Sequence, residues 1–230
     1  INAGVNVIDK FPFASGAGAT DFGDLNFQRS AAMCSYDSTR AYISGGRFQA
    51  SPPHVTHRNI QTFLFANNSS NTNHGDLSAD RQWMTSASSK THGYVMGGVN
   101  DGGIDKFAFA SSGASRMSGD LNGGVATTRF QFGGTGHSSD TRGYTAGGTV
   151  LNSFVDSFSY ASDSAAGTSH SNLVKGSYTH AGSTSTTHGY LAGEDGGSTL
   201  IQRFSFDNNN HSADVGDLTR TYHATQGNED

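Results

Sequence analysis

The sequence predicts an all-β fold assembled from repeated sheets. Three observations carry that prediction: a composition unfavourable to helices, one phrase that recurs five times along the chain, and a strand periodicity inside the phrase. The 230 residues are 33% hydrophobic and only 14% charged, and 31 of them are glycine. Gly, Ser, Thr and Asn stand where Ala, Leu, Glu and Lys would fill helices, and all four are poor helix formers. Disorder is disfavoured, because 15 Phe and 8 Tyr give the chain ample apolar surface to bury and its charge is low. Three prolines and no Gly-X-Y period exclude collagen.

The recurring phrase is Ile8-Asp-Lys-Phe11-Pro-Phe13, then Ile60-Gln-Thr-Phe63-Leu-Phe65, Ile104-Asp-Lys-Phe107-Ala-Phe109, Val155-Asp-Ser-Phe158-Ser-Tyr160 and Ile201-Gln-Arg-Phe204-Ser-Phe206. Its period of about fifty residues is that of propellers, not of helical solenoids. The two aromatics of each copy lie two apart and share one face of a strand, while the leading Ile or Val takes the other. Both faces are apolar, as in a sheet packed between two neighbours.

Two further phrases complete the unit. Gly23-Asp-Leu25 recurs as Gly75-Asp-Leu77, Gly119-Asp-Leu121, the degenerate Ser171-Asn-Leu173 and Gly216-Asp-Leu218. Thr39-Arg-Ala-Tyr42-Ile-Ser-Gly45-Gly46 recurs from Thr91, Thr141 and Thr187, the last copy ending Gly193-Glu194. The Gly-Gly pairs mark strand ends that need positive φ or a close backbone approach. A Ser/Ala/Met-rich stretch such as Ala31–Ser35 has room for one more strand. Four strands per unit make one propeller blade, so the expected fold is a single five-bladed β-propeller domain over residues 1–230.

The fifth Gly-Gly phrase is missing from the C-terminal end. Ile1, Asn2, Ala3, Gly4, Val5 and Asn6 resemble Val95–Asn100 and would supply it, while Tyr222–Gln226 would form the Ser/Ala/Met strand. The expected ring is therefore closed by pairing N- and C-terminal strands, within the chain or with a neighbouring subunit.

A Tyr three residues before Gly-Gly, an aromatic strand after it and a recurring Arg (Arg29, Arg81, Arg129) resemble the kelch repeat. The late kelch tryptophan is replaced by Gly-Asp-Leu, and the Arg is lost in the fourth and fifth units. The wording of the phrases is similar to propeller repeats in structural and tail proteins of marine tailed phages and related environmental sequences. That resemblance implies a propeller used mostly as an interaction platform or ligand binder. It also raises a copper-oxidase site of Tyr, His and a Tyr–Cys crosslink, but Cys34 and Tyr36, two apart on one strand, do not match that arrangement. Cys34 is expected to be a small buried hydrophobe.

Candidate chemistry is sparse. His92 and His188 share a slot with Arg40 and Arg142, which marks it as structural or surface. His54 and His57 form a His-x-x-His in an insertion before the second aromatic phrase; two ligands fall short of a metal site, but such irregular loops carry binding. The repeated Asp24, Asp76, Asp120 and Asp217 are expected to cap turns. Catalysis needs two acids in different environments, and no such pair stands apart from the repeat; Asp37, Asp140, Glu194 and Asp195 lie near strand ends. Trp83 is unrepeated, which favours core or edge placement over a sugar platform. Asn67, Asn68 and Asn210 sit in Asn-x-Ser sequons.

The net charge is −5 with scattered Lys and Arg, which disfavours nucleic acid as a partner. No apolar run is long enough to span a membrane as a helix. The sequence thus reads as a non-enzymatic structural or interaction propeller, extracellular or virion-associated: a tail, fibre or decoration subunit, or part of a filament. Its expected partners are other protein subunits in a homo-oligomer or larger assembly, and no cofactor, metal or catalytic residue is expected. The alternative is a carbohydrate-binding propeller using Trp83 or the Pro52–His57 loop with His54 and His57; a glycosidase is the third reading.

Overall fold

The computed structural model describes residues 5–12, 14, 16–48, 55–67, 72–99, 101–121, 135–148, 153–163, 167–176, 180–193 and 197–222, and among them there is no helix. The first unit is a hairpin of β1 (Val5–Lys10) and β2 (Thr20–Arg29). The second is the antiparallel sheet β3 (Met33–Tyr36), β4 (Arg40–Ser44), β7 (Asn59–Leu64) and β8 (Thr72–Asp76), with a small hairpin, β5 (Arg47–Phe48) and β6 (Val55–Thr56), inserted between β4 and β7. The third comprises β9 (Thr85–Ser88), β10 (His92–Met96), β11 (Gly103–Ala108) and β12 (Ala114–Asp120). The fourth comprises β13 (Thr135–Ser138), β14 (Arg142–Ala146), β15 (Phe154–Ser159) and β16 (Thr168–Asn172). The fifth comprises β17 (Ala181–Thr184), β18 (His188–Ala192), β19 (Ser198–Ser205) and β20 (Ala213–Tyr222). Each four-stranded unit is an antiparallel meander in chain order, so every phrase of the repeat occupies one strand position.

The phrases do identifiable physical work. The Gly-Gly pairs turn the chain from the second strand to the third, with φ of 64° and 116° at Gly97 and Gly98. The Gly of Gly-Asp-Leu sits opposite the leading Ile of the aromatic strand, Gly75 against Ile60, where the register shifts by a bulge and φ reaches 137°. The Leu that follows is buried at positions 77, 121 and 173. In two copies the intervening Asp reaches across to the start of the aromatic strand: Asp76 pairs with Arg58 at 3.6 Å, and Thr199 Oγ1 donates to Asp217 at 2.6 Å.

The core lies between the sheets rather than within any one of them. Tyr42 stacks on Phe109 at 4.7 Å, Tyr94 on Tyr160 at 4.7 Å and Tyr144 on Phe206 at 4.6 Å. In each case the second strand of one unit meets the aromatic strand of the next. Such pairs contribute about 0.5–1.5 kcal/mol each beyond the area they bury. His74 and His170, on the fourth strands, meet the same aromatic layer edge-on at Phe107 and Phe204. Phe22 fills that slot in the first unit and packs on Phe63. The first strands β3, β9, β13 and β17 lie side by side in chain order, tied by Ser86 Oγ to Cys34 O at 2.7 Å and Ser88 N to Ser138 Oγ at 2.9 Å.

Two expectations about the ends are revised. Val5 and Asn6 do not continue a Gly-Gly strand; they open β1, where Val5 pairs with Arg29 of β2. Tyr222 ends β20 and does not begin a first strand. Ile1, Asn2, Ala3 and Gly4, together with 223–226, lie outside the described residues, as does Phe13.

Candidate functional site

Antiparallel order sends the Gly-Gly turns and the connectors between units to one rim of the sheets. The turns joining first and second strands emerge at the other.

On the Gly-Gly rim the recurring Arg is wholly internal. Arg81 comes from the connector after β8 and enters the third unit. Its Nη2 donates to Asp105 Oδ1 at 2.9 Å and to Ser78 Oγ at 3.0 Å, and its Nη1 to Gly103 O at 3.1 Å. Its Nε pairs with Asp101 at 2.9 Å. Arg81 and Asp105 are both fully buried. Arg29 has the same role in the preceding unit but with neutral partners, donating through Nη2 to Asn59 Oδ1 and Gln61 Oε1, both at 2.8 Å; burial lowers it to about 10. The connector into the fifth unit carries no Arg, and there Gln202 holds the connector itself: Lys175 N donates to its Oε1 at 3.3 Å and its Nε2 donates to Lys175 O at 3.0 Å. Reading the phrases one at a time misses this partnership, although the sequence carries a signal for it. The second residue of the aromatic phrase is Asp or Gln in every copy. Arg129 lies outside the described residues.

The same rim carries Trp83 and His57. Trp83 adopts φ of 61°, as Ala31 does at 54° in the matching connector, so its backbone shape belongs to the repeat. The Arg47 guanidinium lies 5.5 Å from its ring centre, and Phe27 stacks on His57 at 5.7 Å. Trp83 is therefore an edge residue covered by a cation. His54, Glu194 and Asp195 lie outside the described residues. Among those residues no three of His, Cys, Asp or Glu gather closely enough to hold a metal.

On the opposite rim each turn is tied by one side chain. Ser89 Oγ accepts from His92 N at 3.0 Å, Ser139 Oγ from Arg142 N at 3.1 Å and Ser185 Oγ from His188 N at 3.1 Å. In the second unit Asp37 replaces the serine. Burial pushes its carboxyl up, but donation from Thr39 N (2.6 Å), Thr39 Oγ1 (2.8 Å), Arg40 N (2.9 Å) and Tyr42 OH (3.1 Å) outweighs this and holds it below its ordinary value. Burial and the Asp37 charge together raise Tyr42 to about 12. His92 and His188 each pair through Nδ1 with the preceding Thr hydroxyl at 2.8 Å, consistent with a repeat slot. Cys34 corrects the expectation of a buried hydrophobe. It is exposed, although protein crowds it closely enough to push its thiol up to about 11. Asn67 and Asn210 are exposed; Asn68 lies outside the described residues.

His137, on β13, is enclosed between the fourth and fifth units, with Nδ1 3.2 Å from Thr184 Oγ1 and its ring edge-on to Phe204. Burial, then repulsion from His180, lower it to about 3 despite a bond to the Ser183 backbone. A histidine lowered on folding supports the fold above its unfolded value and withdraws that support as pH falls. Denaturant unfolding should therefore show stability dropping below pH 6.5, by up to ~1.4 kcal/mol per pH unit from this one group. The drop should be shallower in His137→Asn. Equal slopes in the two proteins would refute the assignment.

No family model and no curated protein matches the chain. Solved structures do, among them that of YjhT, with a TM-score of 0.56 and 10% identity over 85% of this chain and 67% of that one. At that identity the likeness concerns the fold alone.

Proposed function

We propose that the chain is a closed five-bladed, kelch-like β-propeller serving as a non-enzymatic interaction module, a structural subunit of a virion or extracellular fibre. One observation carries the ring: three successive interfaces use the same tyrosine-on-aromatic stack, and the elements of one more are left over. Tyr190 occupies the slot of Tyr42, Tyr94 and Tyr144 yet is only half-buried, whereas those three are at most 1% exposed. Val215, in the slot of His74, is 42% exposed, and Phe11, in the slot of Phe107, is 52% exposed. Closing the fifth unit on the first covers all three. The non-enzymatic reading rests on how the buried ionisable groups are used. Arg29, Arg81, Asp105, His74 and His170 all sit in slots that join one sheet to the next. The virion or fibre setting rests on the resemblance of the repeat wording.

Light scattering combined with denaturant unfolding tests this. For a ring closed within the chain, the protein is monomeric and Tyr190→Ala costs about 3 kcal/mol, as Tyr94→Ala does. For closure between subunits, it forms oligomers that Tyr190→Ala dissolves. A monomer in which Tyr190→Ala changes stability by less than about 0.5 kcal/mol would end the ring proposal. Electron microscopy of particles from the source, showing this chain absent from any assembly, would end the structural-subunit reading.

A further inference from the structure

The repeat is broken in one place where the break creates a cleft. On the rim of the first-to-second-strand turns, the last residue of the first strand is Ser88, Ser138 and Thr184 in the third, fourth and fifth units, and Tyr36 in the second. The next slot is serine in those three units and Asp37 in the second. These two substitutions face a groove of about 440 Å³ lined by Tyr36, Asp37, Ser38, Ser88, Ser89, Lys90 and Ser138. That volume lies in the range of small-molecule sites. Tyr36 is 40% exposed. The Lys90 ammonium stands in solvent, 3.8 Å from Asp140, a surface pair weak enough to yield to a ligand.

We propose that this groove binds a carbohydrate. The groove combines one aromatic ring with a dense set of small hydroxyls, one carboxylate and one ammonium. A sugar ring has that combination in complement: an apolar C–H face for Tyr36, and hydroxyls around its edge. Serine hydroxyls donate and accept, the ammonium only donates and the ionised carboxylate only accepts, so adjacent sugar hydroxyls find partners of both kinds. The hydrogen bonds that hold Asp37 keep its carboxylate ionised and fixed in place, and Ser88 is fixed by the bond it accepts from Tyr36 N at 3.3 Å, so the binding groups are ordered before the ligand arrives. A flat apolar ligand would leave these polar groups unpaired, and an anionic one would meet Asp37. The site lies on the rim opposite Trp83 and His57, so it differs from the sugar platform that the sequence offered. It supplies a ligand class for the interaction-module reading, and its failure would leave the ring and its Tyr190 test untouched.

The test is saturation-transfer NMR on the whole chain with free glucose, galactose, mannose, N-acetylglucosamine and glucuronate at millimolar concentration, followed by titration of the strongest. The expected result is transfer to ring protons of at least one neutral sugar. Affinity should fall about tenfold in Tyr36→Ser, the loss of one ring stack, and severalfold in Lys90→Ala. Tyr36→Ser installs the residue that the third and fourth units already carry, so its thermal midpoint should match the parent. Absence of transfer from all five sugars overturns the proposal. So does binding that survives both substitutions, or that is lost in Trp83→Ala and kept in Tyr36→Ser.

Discussion

Arg81→Met lowers the unfolding free energy by about 3–5 kcal/mol, the cost of breaking a buried ion pair by removing one partner. The expected loss is large because of what is left behind. Asp105 is fully buried, and without Arg81 it keeps only the bonds from Ser78 N at 2.7 Å and Ser78 Oγ. Its charge then stands uncompensated between two sheets. The repeat itself supplies the rescue. The fifth unit joins its connector without Arg, through Gln202, so the double variant Arg81→Met with Asp105→Gln should recover a substantial fraction of the loss. Arg29→Met should cost less than Arg81→Met, because its side-chain partners Asn59 and Gln61 are neutral. Guanidinium unfolding of the four proteins decides the matter. Equal losses for the two arginines, or a double variant no better than Arg81→Met, would show that charge burial is not what sets the cost.

Gly136→Ala is expected to cost more than about 4 kcal/mol, or to prevent folding. A methyl group at this position would land on the backbone of Ser86, overlapping its carbonyl oxygen. The obstacle is the neighbouring strand β9, not the tip of a flexible side chain, so relief requires the two first strands to separate. Separation would also break the bond from Ser88 N to Ser138 Oγ and loosen the layer around Tyr94 and Phe158. Overpacking a tight core ordinarily costs 1–3 kcal/mol or so, and a clash with backbone leaves fewer ways to relax. Gly18→Ala is the control: an added methyl group there meets nothing within 4 Å, and the change should leave the midpoint close to that of the parent. A Gly136→Ala protein that unfolds with the parent would mean that the first strands do not approach this closely.

What was readable in the sequence was local or repeated. The aromatic phrase, the Gly-Asp-Leu phrase and the Tyr…Gly-Gly phrase each became one strand or one strand end, because alternation and positive φ are properties of a few adjacent residues. Five copies made the unit visible without any knowledge of its neighbours. The recurring Arg was visible too, but its burial was not, since its partners lie 24 and 32 residues away at Asp105 and Gln61. Only a comparison of the second position across all five phrases would have hinted at them.

The first strand of each four-stranded unit was the least legible, being four residues long and built mostly of small side chains. Its placement beside its counterparts in neighbouring units is what crowds Gly136 against Ser86. Trp83 stood out as a lone large aromatic, and only the matching φ of Ala31 shows that its backbone shape is ordinary for the repeat. Tyr36 was visible as a mismatched copper candidate and Asp37 as a rim acid; only the packing of neighbouring units brings both to one groove. By itself, the sequence determined the repeating unit and its strand periodicity, because these follow from short-range sterics and patterning. The tertiary structure alone decided which face each unit turns to the next and where the symmetry opens a cleft. Those depend on contacts between residues tens of positions apart, and no spacing within one unit encodes them.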